Sequence, residues 1–334
     1  MIPLKYMVRR VAFYLVTIYI ATTVVFIIPR LIPGDPIEYF VFRMTQQGNV
    51  IPEGYKIVEE YRRKFGLDAD IYTQYVNYLK QIFSGTLGPS ILNFPMTVEE
   101  LIGDRILWTI GLLFNAVIIS WTLGNLLGAL LGWKRGSKLT SAIAGACLFL
   151  SQIPYYILAL VLALLFVYYI PLFPIGGAYR IGLTPSLNPQ FIISVVYHSF
   201  LPALSIVLSS LGGWAVGMRA MIIGIQGEDY ITFAESKGLT KNTILMKYGF
   251  RNAMLPSVTG LAMSLGGITS GALLTEWMFS YPGIGSLFIR ATAQLDYNVL
   301  QGVLIVVIFT VLTANLLIDL LYPVIDPRIR YEVR

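Results

Sequence analysis

Apolar residues in this chain run in blocks too long for a soluble core. Six segments reach the length of roughly twenty residues that an α-helix needs to cross about 30 Å of hydrocarbon. They are Val11–Pro29, Ile106–Leu131, Ser141–Ile170, Phe200–Met221, Met254–Phe279 and Val299–Tyr322. Only helices or closed barrels satisfy their backbone polar groups in lipid, and the blocks show no strand-like alternation. The pattern predicts an all-α polytopic membrane protein with six transmembrane helices. The third block is long enough to tilt or bend, and Pro154, which lacks an N–H, predicts a kink within it. Small residues gather in the later blocks at Gly260, Ser264, Gly266, Gly267, Ser270 and Gly271. They suit close helix approach, whether static or sliding.

Charge supplies the orientation. Lys5, Arg9 and Arg10 precede the first block, and Lys134, Arg135 and Lys138 follow the second. Lys237, Lys241, Lys247 and Arg251 lie between the fourth and fifth, and Arg328, Arg330 and Arg334 follow the sixth. The alternate connections offer Arg180 and Arg290. Positive charge stays on the inner side of a membrane, so both termini are expected in the cytoplasm and the protein in the cell membrane. The first block runs into Pro33-Gly34-Asp35-Pro36 without a small-x-small cleavage signal and reads as an uncleaved anchor.

Three regions follow. Residues 1–33 form a tail and first span, residues 34–105 an exterior helical excursion, and residues 106–334 a core of five spans with an inner loop at 222–253. Within the excursion, Glu53 to Phe65 and Ile71 to Phe83 read as helices separated by Gly66-Leu67-Asp68. Gly66 suits a C′ position and Asp68 or Asp70 an N-cap. Tyr72, Tyr75, Tyr78, Leu79 and Ile82 recur at helical spacing, as a lid packed on the bundle or as a docking face for an outside partner.

Composition narrows the chemistry. Over 334 residues, 56% are hydrophobic and 13% charged, with a net charge of +6. That charge lies beside the apolar blocks rather than on one face, which argues against nucleic acid. The single Cys147 is expected in a packed core, and the single His198 at an interface with a local hydrogen-bond partner, which leaves no His- or Cys-based metal site. Gly132 to Leu139 lacks the spacing, the hydroxyl and the preceding strand of a phosphate loop, and no catalytic set is present. Polar residues inside the blocks are Asn115, Asn125, Gln152, Glu276, Asn315 and Asp319. Each either packs between helices or meets a solute, and Asn115, Gln152, Glu276 and Asn315 are the candidates for a translocation path. Glu276 is placed to line an external vestibule, and Asp319 to snorkel or pair with an arginine. No acidic residue lies at mid-depth, which counts against proton coupling.

The connection between the fourth and fifth blocks is short and ordered-looking. A helix from Asp229-Tyr230 carries Phe233, Ala234 and Gly238, with Leu239 as a second apolar knob and Glu235, Lys237 and Lys241 as a polar rim. A small-residue face suits close docking of another protein, and a surface-lying amphipathic helix is the alternative.

Here a family resemblance enters. The run Asp229-Tyr230, Ala234-Glu235-Ser236-Lys237-Gly238-Leu239 and Arg251-Asn252-Ala253-Met254-Leu255-Pro256 resembles the "EAA" loop of ABC importer permeases, with the long spacing of the dipeptide/oligopeptide/nickel branch. Leu31–Pro36, Phe65–Asp68, Gln74-Tyr75, Gly85–Ser90, Pro174–Gly177, Tyr281–Gly285, Asp296-Tyr297 and Tyr322–Arg328 are similar to that branch in the same order. The large excursion resembles its B-type subunit. Thr232 stands where the general motif begins with Glu, so a salt bridge from that position is not implied.

The resemblance implies a type I ABC importer-like transmembrane domain forming half of an alternating-access path. Its partners would be a second, C-type permease, two cytosolic ATPase subunits that use ATP and Mg, and an extracellular solute-binding protein. This chain would bind no cofactor. Thr232, Phe233, Ala234, Glu235, Lys237, Gly238, Leu239, Leu255 and Pro256 would form the ATPase coupling site, and Tyr281, Gly283, Gly285 and Asp296 would contact the binding protein. Di- or oligopeptides are the favoured cargo. Members of this branch also import oligosaccharides, and the 21 tyrosines are compatible with sugar stacking but equally with interfacial belts and bundle packing; nickel is least favoured. A stand-alone secondary carrier or channel for a small polar solute is the alternative.

Overall fold

A computed structural model describes residues 4–46, 54–134 and 136–325. The expected helix start at Glu53, the basic residue Arg135 and the basic tail beyond Ile325 lie outside the described residues. All regular elements among the described residues are helical. They group into two compact units, Met1–Leu107 with Thr269–Leu273 and Gly283–Arg334, and Trp108–Ile268 with Leu274–Pro282.

In the first unit, α1 (Leu4–Leu31) packs along α14 (Tyr297–Ile325). The Tyr14 and Thr313 hydroxyls meet at 2.7 Å, and Arg10 pairs with Asp319 at 2.8 Å. Asp319 thus has the arginine partner that its depth called for. Both partners keep about two-fifths of their side-chain surface exposed, so solvent screens the pair. Asp319→Asn is expected to cost less than about 1 kcal/mol, measured by thermal unfolding of the purified protein in detergent.

The excursion contains one helix more than the periodicity predicts. Asp35 accepts from the backbone N–H groups of Ile37 and Glu38 and opens α2 (Pro36–Gln46), with Pro36 at the first helical position. Arg62 closes back onto Asp35 at 2.7 Å. Next, α3 (Gly54–Lys64) ends where Gly66 turns left-handed at φ 67°. Gly66 and Leu67 then donate to the carbonyls of Arg63 and Arg62, satisfying the helix end.

The following helix, α4 (Ile71–Phe83), has the boundaries that the spacing predicts. Its cap is Asp70, which accepts from the Thr73 side chain at 2.6 Å and the Thr73 N–H at 3.0 Å. These bonds hold the Asp70 carboxyl below the usual aspartate range. The cap is therefore intact above the ordinary aspartate pKa and is lost as pH falls through the lowered value. Amide exchange in α4 is expected to speed up only at that acid limit, and not in Asp70→Asn, whose neutral cap does not titrate.

Of the tyrosine stripe, Tyr78 is buried and donates to the Thr22 carbonyl, Tyr75 reaches the Thr23 hydroxyl, and Tyr72 stays in solvent. Burial raises the Tyr78 phenol well above its ordinary value. The stripe is a packing face at every position except Tyr72.

The second unit is built around α8 (Pro189–Ile225), flanked by α6 (Lys138–Gln152) and α7 (Tyr155–Ala163). Cys147 is buried among Leu131, Ala215 and neighbouring apolar residues, as its setting predicts. His198 keeps a local partner, its Nδ1 lying 2.7 Å from the Ser194 carbonyl.

Two predicted spans are interrupted. The third does not simply kink: its halves, Lys138–Gln152 and Tyr155–Tyr169, meet at 97°. Pro154 supplies no N–H, and Ile153 before it is extended, with ψ near 120°. The Ser209 hydroxyl caps the freed Ile153 carbonyl at 2.9 Å. The fifth is not one helix either. Within it α11 (Arg251–Gly266) gives way to a single tight turn at Ile268–Ser270, a left-handed Gly271 and the short α12 (Leu273–Met278). The glycines that suggested sliding also weaken helix propagation, and they break it here.

Among the described residues, four helices are individually long and apolar enough to span, and five if the bent pair is one crossing. They run beyond the apolar blocks: α5 covers Val98–Trp133 and α8 begins at Pro189. Hydropathy marks the part inside hydrocarbon, whereas hydrogen bonding carries a helix through polar turns.

Candidate functional site

Past the end of α8, Glu228 precedes the short α9 (Asp229–Ser236). One face of α9 turns inward. Ile231 and Ala234 are buried with Ile244, and Trp133, Tyr230 and Leu239 pack against them. The amide of Gln226 donates to the Gly132 carbonyl at 3.2 Å, fastening the end of α8 to the end of α5. Thr232, Phe233, Glu235, Lys237 and Gly238 face outward. Phe233 is 62% exposed, with the Lys237 ammonium 4.5 Å from its ring centroid.

This geometry corrects the small-residue docking face. Ala234 is not on it: the methyl is buried and seats α9 on its own unit, in the cluster with Ile244, Trp133 and Leu239. Gly238 has a conformational cause. It is left-handed at φ 70°, and Gly238 and Leu239 donate to the Glu235 and Ala234 carbonyls, closing α9 as Gly66 closes α3. A Cβ there would meet nothing within 4 Å of its own chain. The outward knob is Phe233.

Pro256 lies inside a helix. A helical path runs from Lys241 through a π-helical stretch at Ile244–Phe250 into α11, with Leu255 and Pro256 exposed in its interior. The wide π turn marks an irregular backbone on the rod that follows α9.

The polar residues inside the blocks separate into two kinds. Asn125 is buried and bonded between helices: it accepts from the Ser257 hydroxyl at 2.7 Å, and the Trp121 indole donates to the same hydroxyl at 3.0 Å. Glu276 is fully buried and accepts from the Thr109 hydroxyl at 3.0 Å, so it lines no vestibule in this conformation. Burial without compensating bonds would be costly for a carboxylate, which is why it sits against a hydroxyl. Asn115, Gln152 and Asn315 are exposed, and Asn115 donates to the Gly111 carbonyl of its own helix.

The four proposed contacts for a binding protein are all buried. Tyr281 packs edge-on against Trp108 and meets the Ser199 hydroxyl at 3.1 Å. Gly283 and Gly285 lie inside at the start of α13 (Ile284–Ala293). Asp296 accepts from the Ser90 hydroxyl at 2.5 Å and from the N–H groups of Ile91, Leu92 and Val299. It caps α14 and anchors the loop at 89–92. In this structure Tyr281 and Asp296 are held by hydrogen bonds within the chain.

One feature escaped the sequence reading. Gly124, Gly128 and Gly132 recur every four residues along α5 and meet α8 backbone to backbone. A Cβ on Gly124 would lie 2.6 Å from Trp214 Cβ, and one on Gly132 would lie 2.9 Å from the Arg219 carbonyl oxygen. The signal was the small-xxx-small spacing itself.

Long apolar helices joined by polar, folded connections are those of an integral membrane protein. The chain belongs to the binding-protein-dependent transport system inner membrane components, whose family pattern matches residues 124–331. The pattern for the N-terminal part of such membrane components matches residues 3–94. The chain is 28% identical over 327 residues to the oligopeptide transport system permease protein AppB of Bacillus subtilis, covering 98% of this chain and 99% of that one. It is 31% identical over 345 residues to the dipeptide transport system permease protein DppB of Escherichia coli K12, with the same coverage. A di/tripeptide permease of Pseudomonas aeruginosa is 29% identical over 348 residues.

Proposed function

We propose that this chain is the B-type permease subunit of an ATP-driven peptide importer and forms half of its translocation path. The observation that carries the reading is the construction of α9, whose inner face is locked to its own unit while Phe233 projects outward. A helix seated in this way transmits a push as a rigid body instead of absorbing it. Two cytosolic ATPase subunits would press on Thr232, Phe233, Glu235, Lys237 and Gly238 as they close on ATP and Mg. The path would then exchange inward-open and outward-open states, biased by nucleotide and cargo.

In this reading both termini and α9 are cytoplasmic, residues 34–105 are exterior, and a C-type permease supplies the other half of the path. Six crossings result when the bent pair counts as one and the broken segment from Arg251 to Met278 as another. Di- and oligopeptides are the cargo favoured, because the relatives matched over nearly their whole length are named for peptides. Oligosaccharides and a stand-alone carrier draw no comparable support. Contact with the binding protein shifts from the buried Tyr281, Gly283, Gly285 and Asp296 to exposed residues of the excursion such as Tyr72 and Phe83.

Phe233→Ala is expected to lower ATP-dependent dipeptide uptake at least about tenfold in proteoliposomes carrying the whole importer, while leaving thermal stability of the chain within about 0.5 kcal/mol. Uptake at the unmodified rate would remove α9 from the coupling path. Uptake by this chain alone on an ion gradient would overturn the importer reading itself.

A further inference from the structure

A polar cavity of about 410 Å³ lies within the first unit. Arg30, Arg63, Lys64 and Lys80 all line it, and no described carboxylate does. Much of the remaining wall is amide, including Asn298 and Gln301 from the start of α14. Four cations around one space repel each other, and no described carboxylate in the wall neutralises them.

Two of the cations are fixed in position. Arg30 donates to the Phe26 carbonyl and to Gln74 Oε1, each at 2.7 Å, with its guanidinium 3.5 Å from the Phe26 ring centroid. The Lys64 ammonium lies 3.9 Å from the Phe94 ring centroid. Among the described residues, Arg63, Lys64 and Lys80 make no ion pair. Lys64 and Lys80 each sit in the last turn of their helices, where a cation also meets exposed carbonyls. That accounts for each one singly. It does not account for their meeting Arg30, from a third helix, around a shared void.

The level of the cavity identifies the ligand. Arg30 is the penultimate residue of α1, and Asn298 and Gln301 open α14, so the cavity marks the point where two apolar helices end and polar helices begin. Lipid phosphates lie at that height in a bilayer. We propose that the cavity is a phosphate-ester site, occupied by the headgroup of an anionic phospholipid whose phosphate meets the cations and whose polar alcohol meets the amides. Such a lipid would tie the excursion helices to the ends of α1 and α14.

The test is native mass spectrometry of the full chain in neutral detergent, titrated with phosphatidylglycerol, phosphatidylcholine or inorganic phosphate alone. The triple variant R63Q/K64Q/K80Q changes exposed residues only, and K138Q/K241Q/K247Q removes the same charge outside the cavity. The unmodified protein is expected to hold one phosphatidylglycerol at least about tenfold more tightly than the cavity variant does. The control variant should retain it. Displacement by inorganic phosphate at equal concentration would assign the site to a free phosphate instead of a lipid. Equal binding of phosphatidylglycerol by both variants and the unmodified protein, with no phosphate bound, would overturn the proposal. Single K80E, whose exposed position spares the fold, must show the same loss if the triple variant unfolds.

Discussion

Gly128→Ala is expected to destabilise this protein by about 3 kcal/mol, although alanine is the better helix former. Added at Gly128, a Cβ would fall inside the van der Waals shell of the Ala215 carbonyl on α8, and a backbone atom cannot rotate away as a side chain can. Relief requires α5 and α8 to separate along the ridge of Gly124, Gly128 and Gly132, which loosens the packing of Ala129 against Met218 and Ile222. The same helix supplies the control. A Cβ at Gly111 meets nothing within 4 Å, so Gly111→Ala should be neutral or stabilising by up to about 1 kcal/mol. Thermal unfolding of both variants in detergent reads the difference, and similar melting temperatures would refute the backbone contact.

Asp296→Ala should be comparably severe, at about 3–5 kcal/mol. The carboxylate is 2% exposed and accepts from one hydroxyl and three backbone N–H groups. Alanine leaves those donors without their acceptor in a dry site and removes the cap of α14 at the same time. Asp296→Asn keeps one acceptor oxygen and is expected to recover about half of the loss. Peptide uptake should fall in proportion to the folded protein remaining. Loss of binding-protein affinity with the melting temperature unchanged would restore Asp296 to the surface role that its sequence context suggested.

These two residues show how the chain could and could not be read in advance. Glycines four apart were visible at Gly124, Gly128 and Gly132, yet spacing alone does not name the facing helix. Asp296 belonged to a recognisable motif, and recognition was mistaken for exposure. In this structure Glu276 is likewise buried, and Ala234 is seated against its own unit. A motif marks what the fold or the function requires, and the sequence does not separate the two until burial is known. Local caps fared better. Gly66 acts where the sequence put it, and of the two N-cap candidates, Asp68 and Asp70, the structure uses Asp70, because a left-handed turn and an N-cap depend on only a few neighbouring residues.

By itself the sequence determined that this is a helical membrane protein and which family it joins, since long apolar blocks leave the backbone few alternatives in lipid and family-like motifs occur in order along the chain. It also determined the two excursion helices and their stops. Only the tertiary structure decided that the third span turns through 97° at Pro154, that the fifth breaks at its glycines, and that Phe233 and not Ala234 faces outward. Those outcomes depend on partners distant in the chain: Ser209 for the Ile153 carbonyl, and Trp133 and Ile244 for Ala234. A periodicity of 3.6 fixes which residues share a helix face, but not what that face will meet.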